Sequence, residues 1–200
     1  MYERILHKTL PIGALMMTIV TALSGCGYNS MVSADEKVKQ AWAQVENVYQ
    51  RRADLVPNLV ATVKGSAQHE QQTLAAVTQA RAQATQVRLS ADDLSDPAKL
   101  QAFENAQAQL SQSLGRLLAV SEAYPDLKAN ANFRDLQAQL EGTENRIAVE
   151  RRRYNEAVYR YNTMVRSFPT LIAAHLWGFK PREPFHATTP GAERAPEVKF

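Results

Sequence analysis

Stepping alternately three and four residues through residues 133–168 picks out Phe133, Leu136, Leu140, Thr143, Ile147, Glu150, Tyr154, Ala157, Tyr161, Met164 and Phe168. This heptad seam is apolar except at Thr143 and Glu150, and it predicts a coiled-coil type helix. At about 1.5 Å per residue such a rod is about 50 Å long. It cannot bury its seam alone, so it predicts partner helices of similar length.

The first partner carries the same alternation through Val38, Trp42, Val45, Tyr49, Arg52, Val56, Leu59 and Val63, and the phase runs on through Ser66, Glu70, Thr73, Val77, Ala80, Ala84 and Val87. Pro57 falls inside this run, and a mid-helix proline removes a backbone bond at a cost of about 3 kcal/mol. Because the stripe stays in phase across it, the pattern predicts one kinked helix to residue 87, with a full break as the alternative. Gly65 and the thinner stripe beyond it predict a more mobile distal half.

Asp96 followed by Pro97 is an N-cap and first-turn pair. The helix it opens carries Leu100, Phe103, Leu110, Leu114, Leu117 and Leu118 on one face, with Gln101, Gln107, Gln109 and Gln112 expected outside. Pro125 ends that helix near Tyr124, and Asn130 or Asn132 caps the rod. After Phe168 and Pro169, the segment TLIAAHLWGF predicts a helical turn or two folded over the bundle end. Pro181, Pro184, Pro190 and Pro196 make residues 180–200 an extended tail. The fold class is therefore all-α: an elongated antiparallel helical bundle of three long helices plus a short C-terminal helix over residues 35–179, then the Pro-containing tail.

Composition agrees, with eight glycines in 200 residues and a middle rich in Ala, Gln, Glu, Arg and Leu. The 23 basic and 20 acidic residues fall to 21 and 19 without residues 1–25, so the balance offers nothing for nucleic acid. A single cysteine, Cys26, excludes an intramolecular disulfide.

Arg4, His7 and Lys8 precede a mostly apolar stretch at residues 10–23. That is short of the roughly 20 residues a membrane-spanning helix needs and fits the roughly 7 to 15 of a secretory signal. Leu23-Ser24-Gly25-Cys26 resembles the lipobox of bacterial lipoproteins. It predicts a signal peptide at residues 1–25, lipidation at Cys26 by acyl chains such as palmitate, and a lipidated tether at residues 26–34, with either Ser33, in a capping box with Glu36, or Asp35 as the N-cap of the first helix. An uncleaved signal anchor is the alternative, with the same exported topology. Either places the protein in the bacterial cell envelope, anchored to a membrane and facing outside the cytoplasm. Gly27, rather than Asp, favours the outer membrane where there are two.

Four scattered histidines suggest no metal, and there is no glycine-rich phosphate loop, nucleophile elbow or HExxH. No cofactor is expected. The site-like feature is a polar collar, with Arg51, Arg52 and Asp54 on the first helix opposite Glu141, Glu144, Asn145 and Glu150 on the rod. It reads either as an acid and base pocket or as a polar network that sets helix register; with no nucleophile beside it, register-setting is preferred. The run from Arg151 to Arg153, flanked by Glu150 and Glu156, is expected as a solvated face.

The motifs RRADLVPNLV, SEAYPDLKAN and LEGTENRIAVERRRYN, with RSFP and the terminal GAERAPEVKF, resemble the LemA family over nearly all of residues 28–200. The resemblance implies an elongated antiparallel helical bundle outside the cytoplasmic membrane, with no established enzymatic activity and no catalytic residues to carry over. Family members usually begin with a membrane-spanning helix, from which the segment ending in Cys26 departs. Members often occur beside TPM-domain membrane proteins or membrane metalloproteases, which implies an envelope assembly or quality-control partner. The expected function is a non-enzymatic, membrane-anchored rod for protein interaction or scaffolding. The alternative is a small-molecule binder or enzyme using the Arg/Glu/Asn cluster. A further expectation treats Val198-Lys199-Phe200 as a recognition peptide.

Overall fold

The computed structural model describes the backbone of residues 3–66 and 70–186 and the side chains of residues 27–65 and 70–186. The side chains of the expected signal and of Cys26, together with His69 and the tail from residue 187, including Val198, Lys199 and Phe200, lie outside the described residues. Among the described residues the secondary structure is helical: α1 (Glu3–Ser66), α2 (Gln71–Gln86), α3 (Pro97–Ser121), α4 (Pro125–Ala129), α5 (Ala131–Arg166) and α6 (Thr170–Trp177). A short 3-10 turn, Asp92–Ser95, precedes α3.

The seam of the first partner is buried throughout, from Val38 at 0% exposure to Val63 at 0%. It also reaches one heptad further back than expected. Met31 is fully buried, and residues 27–34 are helical rather than a tether. Neither Ser33 nor Asp35 is an N-cap here, because α1 has already begun upstream and the apolar phase carries it on.

α1 passes through Pro57 unbroken. Pro57 has no N–H for the carbonyl of Ala53 four residues earlier, and Arg81 Nε of α2 donates to that carbonyl instead, at 2.7 Å. The continuous helix to residue 87 is corrected, however. α2 is a separate helix that returns beside α1, so that Leu74, Val77, Ala80 and Ala84 share one core with Val56, Leu59 and Val63. The bundle therefore has α2 in addition to its three long helices.

The caps of α3 and α5 fall where the sequence puts them. Asp96 accepts from the N–H groups of Ala98 and Lys99 at the start of α3, and Asn130 accepts from that of Phe133 at the start of α5. α5 runs antiparallel to α1: the Met31 end of α1 shares a cluster with Val165, and the Val63 end shares one with Phe133. Toward its C-terminus the inward positions of α5 move to Val158 and Val165, leaving Ala157 and Met164 half-buried and Phe168 81% exposed. A straight helix drifts against a strict seven-residue repeat, which moves the seam by one position.

The core has two parts. Near the start of the bundle it is aromatic, built from Trp42, Tyr49, Phe103, Tyr154, Tyr161 and Phe185. In the distal half it is mainly aliphatic, and α2 closes that half. The chain after α6 closes the other.

Candidate functional site

Between the two clusters, three helices turn polar at the same level: Arg52 between Tyr49 and Val56, Glu104 and Gln107 between Phe103 and Leu110, and Thr143 and Glu144 between Leu140 and Ile147. Arg52 is the centre, 1% exposed. Its Nη1 donates to Ser111 Oγ at 2.5 Å and Glu144 Oε1 at 2.9 Å. Its Nη2 donates to the Gln107 backbone oxygen at 3.1 Å and to Gln107 Oε1 at 2.6 Å. Gln107 Nε2 in turn donates to the Ala84 carbonyl at the end of α2, at 3.1 Å. One guanidinium thus ties α1 to α3 and α5 directly and to α2 through Gln107. Its carbon lies 5.0 Å from the centre of the Tyr49 ring, whose hydroxyl pKa is raised above its ordinary value chiefly by burial. A buried cation paired with a half-exposed carboxylate in this way specifies register more than it adds stability.

The rest of the expected collar disperses. Arg51 is exposed, Asp54 accepts from Gln50 on its own helix, and Glu141 accepts from Gln137 on its own. Asn145 is exposed. Glu150 is buried but pairs with Arg153, three residues along α5. Of the seven residues, the structure joins Arg52 to Glu144. Gln107, expected outside, is 6% exposed and belongs to the centre. Within the Arg151 to Arg153 run, Arg151 turns inward to Glu104, while Arg152 and Arg153 are exposed.

A second polar system binds residues 180–186 along α5. Asn162 accepts from the N–H of Arg182 and donates to its carbonyl, both at 2.8 Å. Asn155 does the same for Phe185, at 2.8 and 3.0 Å. Tyr161 and Tyr154 donate their hydroxyls to the carbonyls of Lys180 and Glu183, each at 2.9 Å. The spacing is physical: seven helical residues advance about 10.5 Å, and three extended residues about 10 Å. A Tyr-Asn pair repeated every heptad therefore reads every third residue of a straight strap. Pro181 and Pro184 fall between the bonded residues, where no N–H is needed.

Four further side chains fasten this strap. Phe185, 5% exposed, stacks on Trp42 at 5.8 Å and meets Tyr154 edge-on at 5.3 Å. Arg182 donates from Nε and Nη2 to Asp35 Oδ1 and from Nη1 to the Ala91 carbonyl and Ser95 Oγ. At its end, Glu104 Oε1 accepts from the His186 N–H and from Arg151, which also donates to the His186 carbonyl.

An open cleft of about 260 Å³ lies beside the polar centre, lined by residues including Glu46, Tyr49, Arg88 and Gln107. The Arg52 guanidinium does not line it, so the centre offers no charged group to a ligand there. Among the described residues, no cluster of His, Cys, Asp or Glu has the grouping of a metal site.

The sequence pattern of the LemA family matches residues 41–200. The chain belongs to the LemA family. It is 25% identical over 201 aligned residues to "Magnetosome protein MamQ 2" of Paramagnetospirillum magneticum, covering 92% of this chain and 74% of that protein. MamQ 1 of the same organism gives the same figures. "Magnetosome protein MamQ" of Magnetospirillum gryphiswaldense is 26% identical over 180 residues, covering 82% of this chain and 66% of its own. The LemA match takes in the polar centre and the strap, while Asp35 and the start of α1 precede it.

Proposed function

We propose that this LemA protein is a non-enzymatic, membrane-anchored component of the cell envelope, a rigid helical rod that works through protein contacts. The observation that carries this reading is the unbroken course of α1, Glu3–Ser66, which runs through Cys26 into the bundle, so that the helix is continuous with the anchor whether the apolar stretch is kept or is cleaved before an acylated Cys26. A bundle continuous with its anchor is held out from the membrane in a set direction, as a spacer or scaffold requires. The polar centre supports the same reading, since Arg52 and Gln107 are consumed in joining four helices. The relatives are named for the structure they belong to rather than for a reaction, which favours assembly over catalysis. Among the described residues no helix is long and apolar enough to cross a membrane, so the reading assigns attachment to the N-terminal stretch or to acyl chains on Cys26.

The partner is a membrane protein of the envelope, with a TPM-domain protein or a membrane metalloprotease as the proposed class. The outer face of α5 offers the contact surface, with Tyr159 73% exposed beside the exposed Arg152 and Arg160. A photo-crosslinking residue at position 159 in living cells tests this. Specific capture of a protein of either class supports it; crosslinks to lipid alone overturn it. Mass spectrometry of the mature N-terminus decides the anchor: an acylated Cys26 at the first position is expected, and an intact N-terminus with a free thiol excludes lipidation.

A further inference from the structure

The apolar surface left unpartnered by the fold is concentrated at the end of the bundle where α1 enters it. α6 presents Leu171, Ile172 and Leu176 outward at 50%, 58% and 73% exposure, with Phe168 at 81% and Trp177 at 48% beside them. Scattered apolar side chains are ordinary, but a cluster of five at one end marks an interaction surface. α6 is firmly seated from behind. Thr170 Oγ1 donates to the carbonyls of Met164 and Ser167, Ala174 is 2% exposed, and Gly178 closes the helix at φ 74°. The exposed face is therefore fixed in orientation.

Position says what covers it. Trp177 meets Tyr28 edge-on at 5.3 Å, and a Cβ on Gly27 would touch Thr170 at 3.5 Å, so α6 lies level with residues 27 and 28. The apolar stretch at residues 10–23 ends four residues earlier on the same helix. That is about 6 Å further along its axis. An uncleaved apolar helix and acyl chains on Cys26 both bring the bilayer boundary to this level.

Charge points the same way. Residues 157–182 contain Arg160, Arg166, Lys180 and Arg182 and no acidic residue. Arg182 is bound to Asp35, but Arg166, two residues before Phe168, and Lys180, three residues after Trp177, are exposed. The facing turns of α1 are balanced, Asp35 and Glu36 against Lys37 and Lys39. Apolar residues with a tryptophan and a basic rim are the composition of a helix lying in a membrane interface.

We propose that α6, with Phe168, is seated in the headgroup and acyl boundary of an anionic phospholipid membrane, as a second attachment beside the N-terminal anchor. This rests on the membrane-anchored reading above. Two attachments on one rigid end fix the tilt of the rod as well as its distance from the bilayer.

The test reconstitutes the full chain in phosphatidylcholine vesicles with a minority of phosphatidylglycerol, the acyl chains carrying bromine at shallow or deep positions. Trp42 is 3% exposed within the core, so a W177F control isolates the emission of Trp177. A helix of this kind enters about 5–10 Å, so shallow bromine should cut Trp177 emission by about half and deep bromine by less. The variant L171S/I172S/L176S, changed at exposed positions, should still float with the vesicles and keep its thermal midpoint, yet lose the quenching. Flotation with unquenched Trp177 overturns the seating of α6 while leaving the anchor intact, as does unchanged quenching in the variant. Failure of the full chain to float overturns both.

Discussion

Removing the Arg81 side chain should cost more stability while residue 57 is proline than after that proline is replaced. Arg81 Nε donates to the Ala53 carbonyl at 2.7 Å, the acceptor that Pro57 leaves without its helical donor. A hydrogen bond from a charged group contributes about 1.5–3 kcal/mol when buried. Arg81 is half-buried, and solvent competition puts R81M at the low end, about 1.5 kcal/mol, with the methionine retaining the packing of the stem. In a P57A background the new N–H reaches Ala53, and R81M should then cost only about 0.5 kcal/mol. Position 57 is exposed, so P57A disturbs little packing. The coupling of about 1 kcal/mol is measurable as a double-mutant cycle in urea, followed by far-UV circular dichroism on the full chain in detergent. Additivity within about 0.3 kcal/mol would refute the idea that Arg81 substitutes for the missing proline N–H.

F185A should destabilise by about 3–5 kcal/mol, because it empties the site between Trp42 and Tyr154; a loss under about 1 kcal/mol in urea unfolding would mean the strap contributes little. At the polar centre, E144A should cost more than R52M. The first leaves a 1% exposed guanidinium without its counter-charge, about 3–5 kcal/mol, whereas the second leaves a carboxylate that is 41% exposed and can hydrate, about 1–3 kcal/mol. Thermal unfolding of the two variants gives the order, and the reverse order would deny the ion pair its role. Burial raises the hydroxyl pKa values of Tyr154, Tyr49 and Tyr161 above the ordinary 10.0. Since the folded chain holds these protons more tightly, their contribution is complete below the unfolded value and is lost as pH rises through the folded ones. The protein should therefore unfold on the alkaline side, with late tyrosine ionisation in ultraviolet absorbance coinciding with loss of helix; early titration of all seven tyrosines in the folded state would contradict this.

The seams were legible because packing repeats locally: each of the eight positions from Val38 to Val63 is buried as the heptad alternation requires. The reversal into α2 was not, because Val77, Ala80 and Ala84 keep the phase of the preceding helix and are buried on either path. Gly65 was the signal that the rod ended there. Likewise the gap between Phe103 and Leu110, filled by Glu104 and Gln107, marked the polar level on α3, but glutamine on a helix face reads as solvent-exposed until its partners are known. The strap lay furthest from pattern reading. Its backbone groups are held by the Tyr and Asn side chains of α5 from 19 to 30 positions away, and backbone groups leave no trace in composition. Its signature was the repeated Tyr-Asn pair at positions 154 and 161 and the proline spacing at 181 and 184.

That strap also sets an order of assembly. Arg182 meets Asp35 across 147 positions of sequence, whereas Arg81 meets Ala53 across 28. A chain emerging N-terminus first can close its distal half once α1, α2, α3 and α5 exist, but the half nearest the anchor stays unlaced until residues 180–186 appear. Long-range closure of this kind is slow compared with helix pairing. The aromatic floor of Trp42, Phe103 and Tyr154 thus stays open on a nascent chain until the strap has been made, and Phe185 is what covers it.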